Sequence, residues 1–362
     1  MEPKPNEYIV DKHLDDWIRD RIPSDFPQTC DGFSYIERYN NTQKALNPIH
    51  KDIVTGALLA DIYKKLESGE VTWDNITYLN NHGPEHVKAV IEKASQVLIA
   101  SKCKITAYEG YLLLMAIQFH DIGNIFGREN HEKQCMKIMQ DFEYIGRDAP
   151  EKMLIAKIAA VHGGIIGEKN KDTISALEEK TNMMGQKEVR VAFLSALLRF
   201  ADELADDRTR ASRFLMEKDK IPNLSRIHHA YSSSLHSVIA ENNRISLAYT
   251  LDANDALKKY MKNGSDIYLL DEIYSRTLKM HFEKIYCMRF LRPYVNIDSI
   301  RVEIQIYDFD EGISFNPDRF EYTLKEKGYP IYSHEDILDI CPALKEWSGK
   351  EVENRLKKRK AG

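Results

Sequence analysis

Apolar side chains recur at helical spacing through most of residues 50–215 and then change period. Ahead of them, residues 1–48 read as a helical leader interrupted by prolines in IPSDFPQT. Beyond about residue 220, LHSVIAENNRISLAYTL has strand character on both sides of an Asn-Asn pair, which predicts a tight hairpin. SIRVEIQIYDF alternates cleanly, with Ile300, Val302, Ile304 and Ile306 on one face, and predicts a half-buried strand. Between them, DIYLLDEIYSRTLKMHFEKIYCMRFL predicts a long helix stopped by Pro293, and the end of the chain returns to short helices. The pattern therefore predicts a mainly α protein: a helical bundle over 49–220, followed over 221–362 by a smaller α+β region with terminal helices.

Five helical segments of the body carry polar residues at places where burial demands partners. In NNHGPEHVKAVIEKASQVL, Pro84 suits a first turn and Val87, Val90, Ile91, Ala94 and Leu98 form a stripe. His86 lies in that first turn, with His82 just before it. In TAYEGYLLLMAIQFHDIG, Thr106 and Glu109 make a capping box. The helix is apolar nearly all round, which marks it as central, and Gly123 is read as its C-cap. His120 and Asp121 thus fall in the last turn of a core helix, an expensive place for an imidazole and a carboxylate. In GRENHEKQCMKIMQDF, His131, Cys135, Ile138 and Met139 share a face. DAPEKMLIAKIAAVHGG starts at Pro150 and ends at His162. In KEVRVAFLSALLRFADELADD, Asp202 shares a face with Val191, Leu194 and Leu198, where a carboxylate needs a cation or several donors to stay ionised.

Composition narrows the classes. The 362 residues are enough for a sizeable core. A net charge of −5 gives no general attraction to nucleic acid or an anionic membrane, and RLKKRKAG is a short basic tail. Five scattered cysteines without a C-x-x-C pair fit a reducing, cytoplasmic setting better than disulfides or a thiolate zinc site. The polar N-terminus shows no signal peptide, and no apolar run reaches the roughly 18 residues of a membrane span. A phosphate-binding G-x-x-x-x-G-K-[ST] loop, a G-x-G-x-x-G turn and a G-x-S-x-G elbow are all missing, and HGGIIGEK has the wrong spacing for the first.

A lone buried histidine is usually a satisfied core residue. The series changes the balance: five of the twelve histidines fall between residues 82 and 162, four of them at or near predicted helix ends, and Asp202 closes the run. Helix ends of a bundle can converge on one pocket, so such residues can meet.

The order His86 in HVKAV, His120-Asp121 in FHDIGN, His131 in ENHEKQ, His162 in AAVHGG and Asp202 in LLRFADELADDRTR resembles the HD-domain superfamily of metal-dependent phosphohydrolases over about 50–215. The C-terminal extension is similar to that of large stand-alone bacterial HD proteins. The resemblance implies that His86, His120, Asp121 and Asp202 bind one metal, and that His131 and His162 bind a second, with Asp121 bridging. Two departures stand out: Asn124 where many members have lysine, and His162-Gly163 where two-metal members often have His-His. The first removes a phosphate-binding cation.

Imidazole and carboxylate ligation without thiolate suits Mn, Fe, Ni, Co or Zn, as one or two ions. The expected reaction is attack of metal-activated water on a phosphoester or phosphoanhydride, with Asp121 and His120 at its centre. Arg128, Lys133, Arg208 and Arg210, close in sequence to the ligands, are candidates to hold the phosphate, and His82 is a candidate general acid. The expected substrate is a nucleotide or a related small phosphoester, the reaction being that of a nucleotidase, a deoxynucleotide triphosphate hydrolase or a phosphodiesterase. A single-strand nuclease and a nucleotide-sensing regulatory module are the alternatives, the first disfavoured by the acidic balance. The C-terminal region is free to line the pocket, bind a partner or form a homo-oligomer.

Overall fold

The computed structural model describes residues 7–28, 32–55, 67–69, 82–126, 130–140, 149–166, 170–184, 187–206, 221–262, 264–307, 318–326 and 336–361. It divides into two units: Met1–Ala60 with His82–Ala205 and Tyr286–Asn296, and Asp61–Asn81 with Asp206–Ile285 and Ile297–Gly362. Helix dominates and strands are confined to small sheets, so the mainly α class with a smaller α+β part holds.

The first unit contains β1 (Glu7–Ile9), α1 (Leu14–Arg19), α2 (Tyr35–Thr55), α3 (Pro84–Ala100), β2 (Lys104–Thr106), α4 (Ala107–Phe119), α5 (Cys135–Gln140), α6 (Ala149–Ala160), β3 (Asn182–Met184), β4 (Lys187–Val189) and α7 (Val191–Leu204). Every residue of α4 is buried, as its all-round apolar sequence requires. Its start is fixed by the capping box, in which the Glu109 amide donates to Thr106 Oγ1 and the Thr106 amide donates to Glu109, both at 3.1 Å. The same Glu109 accepts from Arg190, at 2.8 Å from Nε and 2.6 Å from Nη2. Arg190 is the residue before α7, so one buried ion pair ties together the starts of α4 and α7. Buried Glu151 of α6 accepts from Tyr108 (2.9 Å), Tyr111 (3.2 Å) and Arg38 of α2 (3.4 Å), and so anchors α6 on α4.

Three expectations change. Gly123 does not cap α4, which ends at Phe119 with His120 still in helical dihedrals, and the chain continues into a 3₁₀ turn over Ile122–Phe126. What demands glycine there is proximity: a Cβ on Gly123 would lie 2.0 Å from the His131 carbonyl oxygen. The segment around His131 is a 3₁₀ turn (His131–Lys133) followed by the short α5, not one continuous helix. KEV pairs with NMM as β4 with β3, so α7 begins only at Val191.

The second unit holds α8 (Asn223–Ser234), β5 (Leu235–Glu241), β6 (Arg244–Asp252), α9 (Ala253–Leu257), β7 (Lys259–Lys262), β8 (Ser265–Tyr268), the first part of α10 (Leu269–Leu291), β9 (Ser299–Tyr307), β10 (Asp318–Lys325), α11 (Ile337–Ile340) and α12 (Gly349–Ala361). The expected hairpin is β5–β6, turned by Asn242 and Asn243 with φ of 47° and 58°, the left-handed region that asparagine tolerates. A four-stranded sheet runs β10-β9-β6-β5, with β6 and β9 parallel. The register puts buried residues in rows across three strands: Ile245, Ile300 and Leu324; Leu247, Val302 and Tyr322; Tyr249, Ile304 and Phe320. Tyr322 hydrogen-bonds Thr277 of α10 at 2.8 Å, which places that helix against the buried face.

Candidate metal centre

The expected ligands meet at helix ends. His120 and Asp121 follow α4, Asp202 is in the last turn of α7, and His162 follows α6. The C-terminal, electronegative ends of three helices therefore converge, which favours a cation. His86 enters from the first turn of α3, and His131 from the 3₁₀ turn that Gly123 admits at close range.

Two donor groups result, and within each the donor atoms lie within 4.8 Å of one another: His86, His120, Asp121 and Asp202, and Asp121, His131 and His162. In the first, the Nε2 atoms of His86 and His120 are 3.3 Å apart and lie 3.4 and 3.3 Å from Asp121 Oδ2. Asp202 Oδ1 is 3.1 Å from His86 and 3.7 Å from His120. In the second, Nε2 of His131 and of His162 lie 3.1 and 3.6 Å from the other Asp121 oxygen, Oδ1. Ligands about 2.1 Å from a common ion stand about 3.0–3.4 Å from each other, so these spacings are those of a coordination shell.

The tautomers agree. His120 Nδ1 is 2.8 Å from the Ile117 carbonyl and His162 Nδ1 is 2.6 Å from the Ala159 carbonyl. A carbonyl only accepts, so each Nδ1 carries a hydrogen and each Nε2 is the nitrogen turned inward, free to serve a metal once it gives up any proton. The inward Nε2 atoms of His86 and His120, 3.3 Å apart, are spaced to share one cation. The charges say the same. Burial pulls the Asp121 and Asp202 carboxyls upward, but the surrounding imidazoles outweigh it and hold both well below the usual carboxylate range. Burial pulls His120 down, yet Asp121 and Asp202 lift it to about 10. The site thus draws positive charge, which a proton or a metal can supply. The residues fit a divalent transition metal.

His82 is buried, and its Nδ1 lies 2.6 Å from Asp121 Oδ2, a direct contact that its position in an Asn-His-Gly loop did not announce. Lys133 is exposed on the turn that carries His131. Arg128, Arg208 and Arg210 lie outside the described residues. The sequence reading missed the brace on Asp121: fully buried Asn124 donates from Nδ2 to Asp121 Oδ1 at 3.2 Å and to its carbonyl at 3.0 Å.

A buried His/Asp cluster at converging helix ends defines an HD-type domain with a metal-binding site. Residues 75–278 match the model of the HD-CE family, more than half of the chain, and the chain belongs to that family. No curated protein matches it. Among the described residues no helix is long and apolar enough to cross a membrane.

Proposed function

We propose that the protein is a metal-dependent phosphohydrolase of the HD superfamily, acting on a phosphoester or phosphoanhydride of a nucleotide or related small molecule. One observation carries this reading: Asp121 turns one carboxylate oxygen to each of two donor groups, the arrangement of a bridging ligand. His86, His120, Asp121 and Asp202 would hold one divalent ion, and Asp121, His131 and His162 a second. Such ions supply Lewis acidity, acidifying water and neutralising phosphoryl oxygens. The chain does the rest. The Ile117 and Ala159 carbonyls hold His120 and His162 in the right tautomers, and Asn124 fixes the Asp121 carboxylate plane. His82, held by Asp121, is the residue assigned to deliver a proton to the leaving oxygen. Lys133 and the arginines 128, 208 and 210 are assigned to the phosphate.

The test pairs metal analysis of the purified chain with release of phosphate, pyrophosphate or triphosphate from a nucleotide panel in Mn²⁺. Metal uptake and turnover that both vanish in Asp121→Ala are expected. Turnover that survives this substitution, or a chain that takes up no metal after reconstitution, defeats the reading. Cleavage of single-stranded DNA with nucleotides untouched would make it a nuclease instead.

A further inference from the structure

Two of the histidines facing the donor groups rest on their own helices. His120 and His162 each send Nδ1 to the carbonyl three residues back, Ile117 at 2.8 Å and Ala159 at 2.6 Å. His131 opens a 3₁₀ turn, with Asn130 before it in left-handed backbone at φ 52°, so no turn of its own helix lies behind it. A carboxylate stands there instead. Glu132 Oε2 lies 3.4 Å from His131 Nδ1, while Nε2 at the far side of the ring lies 3.1 Å from Asp121 Oδ1. The imidazole therefore spans two carboxylates, one inside the donor group and one behind it. A carboxylate behind a ligand imidazole fixes its tautomer and orientation and raises its basicity.

Glu132 has little else to do. It is 6% exposed, and among the described residues its ionic contact is His131; Lys133, next along the chain, is exposed. A buried carboxylate without lysine or arginine is costly unless positive charge comes from the group it touches. His131 brings that charge when Nε2 holds a metal.

The other oxygen of Glu132 faces the chain beyond His162. A Cβ on Gly164 would lie 2.8 Å from Glu132 Oε1, 3.3 Å from its Cδ and 3.4 Å from its Cγ. Gly164 also has φ of 80°, so glycine is required there both by backbone conformation and by close approach. It lies two residues past His162. Glu132 thus meets both arms of the second donor group: the His131 ring with one oxygen, and the loop leaving His162 with the other. The two rings stand 5.6 Å apart, edge to face.

We propose that Glu132 is the positioning residue of the second donor group. It takes the His131 Nδ1 hydrogen, turns Nε2 toward Asp121, and through Gly164 keeps His131 and His162 at ligand spacing. This role rests on the two-ion form of the proposed function. Loss of Glu132 then costs the second ion and spares the first, because His86, His120 and Asp202 lie outside these contacts.

The test uses the full chain stripped with a chelator and titrated with Mn²⁺ in the presence of inorganic phosphate, read by equilibrium dialysis and electron paramagnetic resonance. The unaltered chain is expected to bind two ions and to show the split signal of a coupled pair. Glu132→Ala is expected to keep the first ion at full affinity, weaken the second about 10–100-fold and leave a single-ion signal. Glu132→Gln keeps an acceptor for the Nδ1 hydrogen and is expected to restore most of that loss. Gly164→Ala presses on the same carboxylate without altering a ligand and is expected to weaken the second ion as well. Thermal unfolding of each variant reports the fold, and a role in folding alone would not separate the two ions.

Glu132→Ala that binds both ions normally, or that loses both equally while folded, would overturn the proposal. So would Glu132→Gln no better than Glu132→Ala, Gly164→Ala with the second ion unweakened, or an unaltered chain that binds a single ion. Two ions that depend on Glu132 as expected, in a chain that hydrolyses nothing, defeat the phosphohydrolase reading and leave Glu132 in its role. Nucleotide hydrolysis by a chain whose second ion ignores Glu132 defeats the positioning role alone.

Discussion

Each unit buries carboxylates, and they are answered in opposite ways. Glu272 on α10 is fully buried and is met by permanent cations: Lys262, Arg276 Nε at 3.0 Å, with His228 at 3.6 Å. Arg276 then reaches Asp206 at 3.6 Å, which accepts from Ser232 at 3.1 Å. That network closes on itself. Asp121 is also buried, but the groups pressed against it are five imidazoles and an amide, with no lysine or arginine among these contacts. A structural carboxylate brings its own cations, whereas a ligand carboxylate is surrounded by lone pairs. The contrast is how a metal site is told from an ion pair.

The largest effect should come from the centre of that contrast. Asp121→Ala should lower both metal content and turnover, the latter by about a thousandfold, since Lewis acidity is worth several kcal/mol; near-normal metal content would erase the distinction. Glu272→Ala should do the reverse, lowering stability by about 3–5 kcal/mol with metal uptake intact, because Arg276 and Lys262 lose their partner. Burial raises the Glu272 carboxyl, but His228, Lys262 and Arg276 bring it down to about 2 from an ordinary 4.5. A carboxyl depressed in the folded state stabilises fully above pH 4.5 and loses that contribution as pH falls toward 2. The loss is on the order of 3 kcal/mol, and the acid limb of the unfolding curve should flatten in Glu272→Gln.

Asn124→Ala sharpens the comparison from the supporting side. It frees the Asp121 carboxylate plane and should weaken metal binding about 10–100-fold, as measured by competition with a chelator, with little change in fold. The smallest effect lies farthest from the centre. Thr106→Ala removes the α4 cap and should cost about 1 kcal/mol in thermal unfolding without altering metal affinity.

Legibility in the sequence followed the range of the interactions. The all-round apolar run of α4, the Thr106–Glu109 cap and the alternation in β9 are local signals, and they give the elements directly. The parallel pairing of β6 with β9 joins segments some fifty residues apart, and no local period carries it. The ladders β1–β2, β3–β4 and β7–β8 span three or four residues, too few to show an alternation against charged neighbours. The histidine and aspartate positions were visible as a series, because each needed a partner its own helix lacked. Asn124 was visible only as a departure from a family habit. That it serves Asp121 rather than a phosphate is a fact of three-dimensional contact.

The sharing of Asp121 also sets an electrical inequality between the two donor groups. The first has two carboxylates of its own, Asp121 and Asp202, enough to neutralise a dication. The second adds two imidazoles, which bring no negative charge, to an oxygen already counted, and among the described residues Glu132 lies 3.4 Å behind His131. On the proposed reading, a doubly loaded site is short of negative charge until an anion arrives. A phosphate dianion supplies what is missing, so the second position is a place that fills together with its substrate, and the first is the permanent fixture.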